Sequence, residues 1–212
     1  MTGEIKRENE FYPKNCGEMF AHHQSKKDMV IWGTHGTSES RALMIFEKGF
    51  ISSLLKDCSD SLQWLGTGIY FFDNNVEAAE GWAKFRAQQD VPESNPVVLT
   101  ATLACSQERF FDLDCLKHLT LYKKFYKLVE NDAANHVKKD DKIDGLVLEV
   151  LCKEMNVAMI RASLNTIDEF PLQPIEKYSR IICGMQVQIC VRDGQCIKAL
   201  ESMEIQVNEL IC

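Results

Sequence analysis

Apolar residues along this chain fall into short runs of two periods. Residues 28–37, "DMVIWGTHGT", begin apolar and β-branched and then turn polar, which predicts a strand ending in a loop at His35. The next stretch places Ala42, Ile45, Phe46 and Phe50 at helical spacing, with Ser38 or Ser40 available as N-cap and Gly49 as the stop. A loop over about 51–66 leads into a short strand at Ile69-Tyr70-Phe71-Phe72. "NNVEAAEGWAKFRAQQ" then reads as a helix capped by Asn74 or Asn75. Residues 95–104 predict a strand and 116–138 a helix. The apolar run 144–155 fits either a buried strand or a helix. Two more strands are expected, one around Ile181 and one through "MQVQICVRD", after which "DGQ" makes a tight turn back into "CIKAL". Residues 1–27 are polar with interspersed aromatics and predict a helical segment packed on the main domain. Strands with helices between them imply a single α+β domain over 1–212.

Composition narrows the function classes. The chain has 212 residues, 45% of them hydrophobic, enough for one sizeable core. Its net charge of −7 removes any global basic footprint for nucleic acid, so a protein acceptor or partner is favoured over nucleic acid. No apolar run approaches the ~20 residues of a membrane span, and the first twenty residues lack a signal-peptide core. The expectation is a cytoplasmic protein, or one exported without a cleavable signal peptide, with no membrane partner. Nine cysteines are scattered without a Cys-x-x-Cys pair, and His22-His23 have no cysteine at finger spacing, so no metal is expected.

The stretch "WLGTGIYFFDN", residues 64–74, carries two glycines, Gly66 and Gly68, just before a strand. A dinucleotide-binding turn needs the reverse order, strand then glycines then helix, and Phe71 stands where its third glycine belongs. A phosphate-binding Walker loop is excluded too, because no Gly-Lys-Ser/Thr follows. What remains is a turn that uses glycine for positive φ or for close approach to a ligand.

Three boxes in order change that picture: "HGTSESRALMIFEKGF", "GTGIYFFDNNVEAAEGW" and "QICVRD". Together they resemble the ADP-ribosyltransferases of the poly(ADP-ribose) polymerase and diphtheria-toxin type. The resemblance covers most of 29–105 and again 180–200. It implies a split mixed β-sheet core with peripheral helices, and it makes residues 115–178 a helical insertion or acceptor platform. It also implies NAD as substrate. By resemblance His35 hydrogen-bonds a ribose hydroxyl, Gly36 presents backbone N–H and C=O to the nicotinamide amide, and Tyr70 and Trp82 clamp the ring. Thr37 and Gly68 complete the NAD-binding set. Read without the resemblance, His35 is a capped loop histidine, Tyr70 and Trp82 are core aromatics, and Gln186 and Gln188 are the solvated face of an edge strand.

Two positions depart from the family. The slot of its catalytic glutamate is Gln188, which keeps the hydrogen-bonding shape without the charge. Gln186, on the same strand face, falls where toxin-like members address the acceptor. The nicotinamide-binding serine is replaced by Ala78 or Ala79. Glu149 and Glu204 are carboxylates that recruitment could bring in. The resemblance therefore implies mono-ADP-ribosyl transfer to a macromolecular acceptor, or a silent module that holds NAD or ADP-ribose, and not polymer synthesis.

Overall fold

The computed structural model describes residues 28–50, 63–90, 94–133, 143–165 and 185–204. The expected helical segment 1–27, most of the loop before Gly66 and the strand around Ile181 lie outside the described residues. In chain order the elements are β1 (Asp28–Ser38), α1 (Glu39–Lys48), β2 (Ile69–Asp73), α2 (Val76–Asp90), β3 (Pro96–Ser106), β4 (Phe110–Asp112), α3 (Leu116–Ala133), α4 (Ile143–Met155), β5 (Met159–Asn165), β6 (Met185–Val191) and β7 (Ile197–Glu204). The strands form one mixed sheet in the order β4-β5-β6-β2-β1-β3-β7, antiparallel except for β4 against β5. The fold class is α+β.

β1 does not end in a loop at His35. Its pairing with β3 runs unbroken from Asp28↔Ser106 to Ser38↔Pro96, so His35, Gly36 and Thr37 are strand residues. On that side the β3 ladder pairs the backbone groups of His35 and Thr37. The strand passes directly into α1, with Ser38 at the cap position and its hydroxyl 3.3 Å from that of Ser40. Gly49 closes α1 at φ 74°, its N–H donating to Ile45 O. Asn75 caps α2, its Oδ1 accepting from Ala78 N at 3.0 Å.

The run 144–155 is a helix. Gly145, Leu148 and Cys152, with Val147 and Leu151, make one buried stripe at spacings of three and four. That stripe packs on Ile160 and Cys190 of β5 and β6, with Leu65 and Phe111 completing the cluster. The opposite face of the sheet buries Phe71, Leu103, Met159, Ile189 and Val191. Met29 and Ile31 of β1 pack into this same cluster beside Phe110 of β4, so strands far apart in the sheet order share one core.

Two connections differ from the sequence reading. "DGQ" does not join a hairpin: β6 pairs with β2 and β5, while β7 pairs with β3 at the far edge. Asp193 instead caps a 3₁₀ turn, Gly194–Cys196, that carries the chain across the sheet. Residues 159–165, inside the expected insertion, form β5, an interior strand between β4 and β6. At least that part of 115–178 belongs to the sheet itself.

Candidate functional site

The sheet splits between β1 and β2. Their register contains only Gly33↔Asp73 and Thr34↔Phe72. Antiparallel ladders alternate, so every second residue turns its N–H and C=O to the same neighbour. Glu39 N donates to Asn95 O on the β3 side, and Asn74 N donates to Trp32 O on the β2 side. The odd-numbered residues of β1 therefore face β3, and the even-numbered ones face β2. Gly36 turns both backbone groups toward β2 at the level of Tyr70, where the ladder has already stopped. Among the described residues no strand partner meets Gly36 on that side.

His35 bridges the split. Its Nδ1 lies 2.7 Å from Tyr70 O, the acceptor a continued ladder would have given to Gly36 N–H. Only a protonated nitrogen can donate to a carbonyl, so Nδ1 carries the proton and a neutral ring keeps Nε2 as an acceptor. Burial holds the imidazole below its ordinary pKa of 6.5; the Tyr70 carbonyl opposes this, and the charges of Arg86 and Arg41 add to it. The ring sits edge-on to Phe50, with centroids 5.3 Å apart, and tilted against Phe71 at 5.6 Å.

Gly36 is also the seat of α2. A Cβ there would lie 2.0 Å from Ala79 O and 2.7 Å from Ala83 N, so helix and strand meet backbone to backbone. Ala79 and Ala83 are fully buried at this contact with Val98. Ala79, one of the two positions where the resemblance leads to a serine, is where the helix touches the strand.

Tyr70 occupies β2 across the split from Gly36. Its hydroxyl donates to Gly66 O at 2.7 Å and accepts from Leu65 N at 2.9 Å, which pins the ring to the glycine turn. Burial pushes its pKa far up, so the phenol stays protonated. The glycines of that turn have structural roles of their own. Gly66 adopts φ 77°. A Cβ on Gly68 would meet Cys190 Sγ at 2.3 Å, so Gly68 lets the chain lie against β6. The close approach expected of Gly68 toward a ligand is made toward that strand.

Gln188 lies on β6, paired with Phe72 on one side and Ala162 on the other, while Tyr70 pairs with Cys190. Gln188 is thus a diagonal neighbour of Tyr70 on one sheet face, and both are half-buried. Gln186, two residues along, shares that face and pairs with Leu164. β6 is interior, so the edge-strand reading of the two glutamines is ruled out. Thr37 is buried, and its backbone pairs with Val97 of β3, away from the split. Trp82 is 47% exposed on α2, and its ring partner is Phe85 at 5.2 Å. Among the described residues no ring contact joins it to Tyr70. The split therefore brings together His35, Gly36 and Tyr70, with Gln188 one strand behind Tyr70, and leaves Thr37 and Trp82 to one side.

Glu149 is committed elsewhere. Its carboxylate takes both guanidinium nitrogens of Arg192, at 2.9 and 2.6 Å, and accepts Thr67 N–H. Glu204 pairs with Val97 at the β3–β7 edge, two strands from the split. The Glu149 carboxylate is therefore engaged away from the split. A second ionic group escaped the sequence reading: Arg161 of β5 binds Asp73 at 2.7 Å and Asp114 at 2.9 Å, with Asp112 at 3.4 Å. It ties β4 and β5 to the end of β2 and leaves the β1–β2 split untouched.

No family model matches the chain. The chain is similar to the uncharacterized protein MJ0359 of Methanocaldococcus jannaschii, 25% identical over 191 residues that cover 81% of this chain and 86% of that one.

Proposed function

We propose that the chain is an NAD-dependent mono-ADP-ribosyltransferase, whose substrate NAD enters the β1–β2 split and whose acceptor is a macromolecule. The observation that carries this reading is the interrupted ladder at Gly36, opposite Tyr70 and bridged by His35. A backbone N–H and C=O side by side on a strand edge match a primary carboxamide, which needs one acceptor and one donor. Nicotinamide carries that group on a flat ring, and Tyr70 offers an aromatic face beside it. His35, with Nε2 an acceptor, suits a ribose hydroxyl.

In this reading the nicotinamide is held at Gly36 and Tyr70 while its bond to ribose breaks. The electron pair leaves with nicotinamide, and positive charge develops on the ribose. Gln188 hydrogen-bonds a ribose hydroxyl but adds no negative charge, so the cation is stabilised less than a carboxylate would achieve. In this reading Gln186, on the same face of β6, is the residue that meets the acceptor.

A second reading rests on Gln188 itself: with no carboxylate in the slot, the split holds NAD or ADP-ribose without cleaving it and acts as a sensor or adaptor. Incubating the purified full chain with NAD and measuring free nicotinamide separates the two. Release above the uncatalysed rate supports transfer; binding without release supports the silent module; neither binding nor release sinks both.

A further inference from the structure

The Gly66-Thr67-Gly68 turn is fixed by two side chains that come from other parts of the chain. Arg192 follows β6 and Glu149 sits in α4. Arg192 Nη1 donates to Thr67 O at 3.1 Å as well as to the Glu149 carboxylate, and Thr67 N–H donates to Glu149 Oε1. Both polar groups of one turn residue are thus held by one ion pair. The turn in turn holds the Tyr70 hydroxyl through Gly66 O and Leu65 N. A Cβ on Gly66 would fall 2.7 Å from Glu149 Oε1, so glycine there admits the carboxylate as well as the positive φ.

Side-chain exposures of 18% for Arg192 and 27% for Glu149 put the pair between surface and core. Burial raises the Glu149 pKa, but the hydrogen bonds from Arg192 and Thr67 and the Arg192 charge outweigh it and leave the carboxyl below its ordinary value. The pair therefore stays ionised, and its mutual neutralisation leaves neither charge for the split.

We propose that Glu149 and Arg192 are positioning residues that fix the glycine turn and, through it, the Tyr70 ring, and so set the affinity of the site for the nicotinamide half of its ligand. The ligand part rests on the NAD reading; the positioning part does not. An apolar contact between α4 and β6 would hold those elements equally well. It would not grip the N–H and C=O of Thr67.

The test uses the full chain with Glu149→Ala, Glu149→Gln and Arg192→Lys, checked for folding by circular dichroism. Amide hydrogen exchange needs no ligand. Glu149→Ala should speed exchange at Thr67 and Leu65 by about tenfold, while β3 amides keep their protection. Dissociation constants for NAD and ADP-ribose form the second readout. NAD should weaken several-fold, in line with a misplaced aromatic contact, and ADP-ribose, which lacks the ring, should not. Glu149→Gln keeps an acceptor for Thr67 N–H and should lie between wild type and Glu149→Ala. Arg192→Lys keeps the charge and the Glu149 acceptor but loses the fork to Thr67 O, and should also lie between wild type and Glu149→Ala. If Glu149→Ala does not fold, Glu149→Gln and Arg192→Lys carry the same comparison. Unchanged exchange at Leu65 and Thr67 in a folded variant overturns the positioning role. Equal weakening of both ligands overturns its link to the nicotinamide end. A wild-type chain that binds neither ligand overturns the NAD reading and that link together, and exchange still decides whether the pair sets the turn.

Discussion

His35 shows how one residue acquires a chemical role from its surroundings. The sequence places it at the end of a strand, where a histidine is ordinarily a loop residue with little packing. The β3 ladder instead carries it inside the sheet, between Phe50 and Phe71, with Nδ1 on Tyr70 O. His35→Gln should therefore cost about 1–3 kcal/mol of stability as well as weaken NAD binding. The pH dependence has a definite sign. Burial lowers the folded-state pKa of His35 below 6.5, so the unfolded chain takes up a proton first as the pH falls. The stability margin of wild type over His35→Gln should be constant above pH 6.5 and shrink below it as the pH drops through the folded value. Urea unfolding of both proteins between pH 5 and 8 checks this; a margin that grows on acidification contradicts the buried neutral imidazole. The His-Gly-Thr box drew attention to the Gly36 backbone, but its packing was not legible, because Ala79 and Ala83 approach it from forty-odd residues along the chain.

At the scale of elements, local pattern located most of what local forces determine. α1, α2, β3 and the first part of α3 follow their periodicity and caps, and the ambiguous run 144–155 became a helix because its buried residues recur at three and four. β5 and the path after β6 were not legible. "DGQ" carries a hairpin signal, yet β6 is occupied on both edges by β2 and β5, so the chain after it must cross to β3. Pairing partners are a property of the whole sheet, and a turn motif cannot report them. Two predictions belong at this scale. Gly36→Ala should separate α2 from β1 and destabilise the protein by about 1–3 kcal/mol or more, read as a lower urea midpoint, because a Cβ would meet helix backbone that cannot rotate away. A midpoint equal to that of wild type would show the helix to be less closely seated. Gln188→Glu on β6 adds charge where the ribose cation would form. Its nicotinamide release should rise by roughly tenfold, equivalent to about 1.4 kcal/mol of transition-state stabilisation. An unchanged rate, together with no effect of Gln188→Ala, would remove Gln188 from the site.

The described residues build one seven-stranded sheet in which the pairing of β1 with β2 is short and leaves a split beyond Thr34. His35 and Tyr70 of the first two boxes mark the two sides of the split, and Gln188 of the third lies on the strand behind. The sequence did not reveal what fixes it: Thr67 meets Glu149 and Arg192 across separations of 82 and 125 residues. An ion pair at such distance has no periodic signature. The net charge of −7 gives no global basic footprint for nucleic acid, which favours a protein as the macromolecular acceptor of the proposed transfer. In the proposed function the interrupted ladder at Gly36 receives a carboxamide. Titration of nicotinamide into the isotope-labelled full chain, following backbone amide resonances, puts this to the test. A saturable shift of the Gly36 N–H is expected, with smaller shifts at His35 and Tyr70 and none along β7; shifts confined to other strands, or none at any concentration reached, would rule the carboxamide site out.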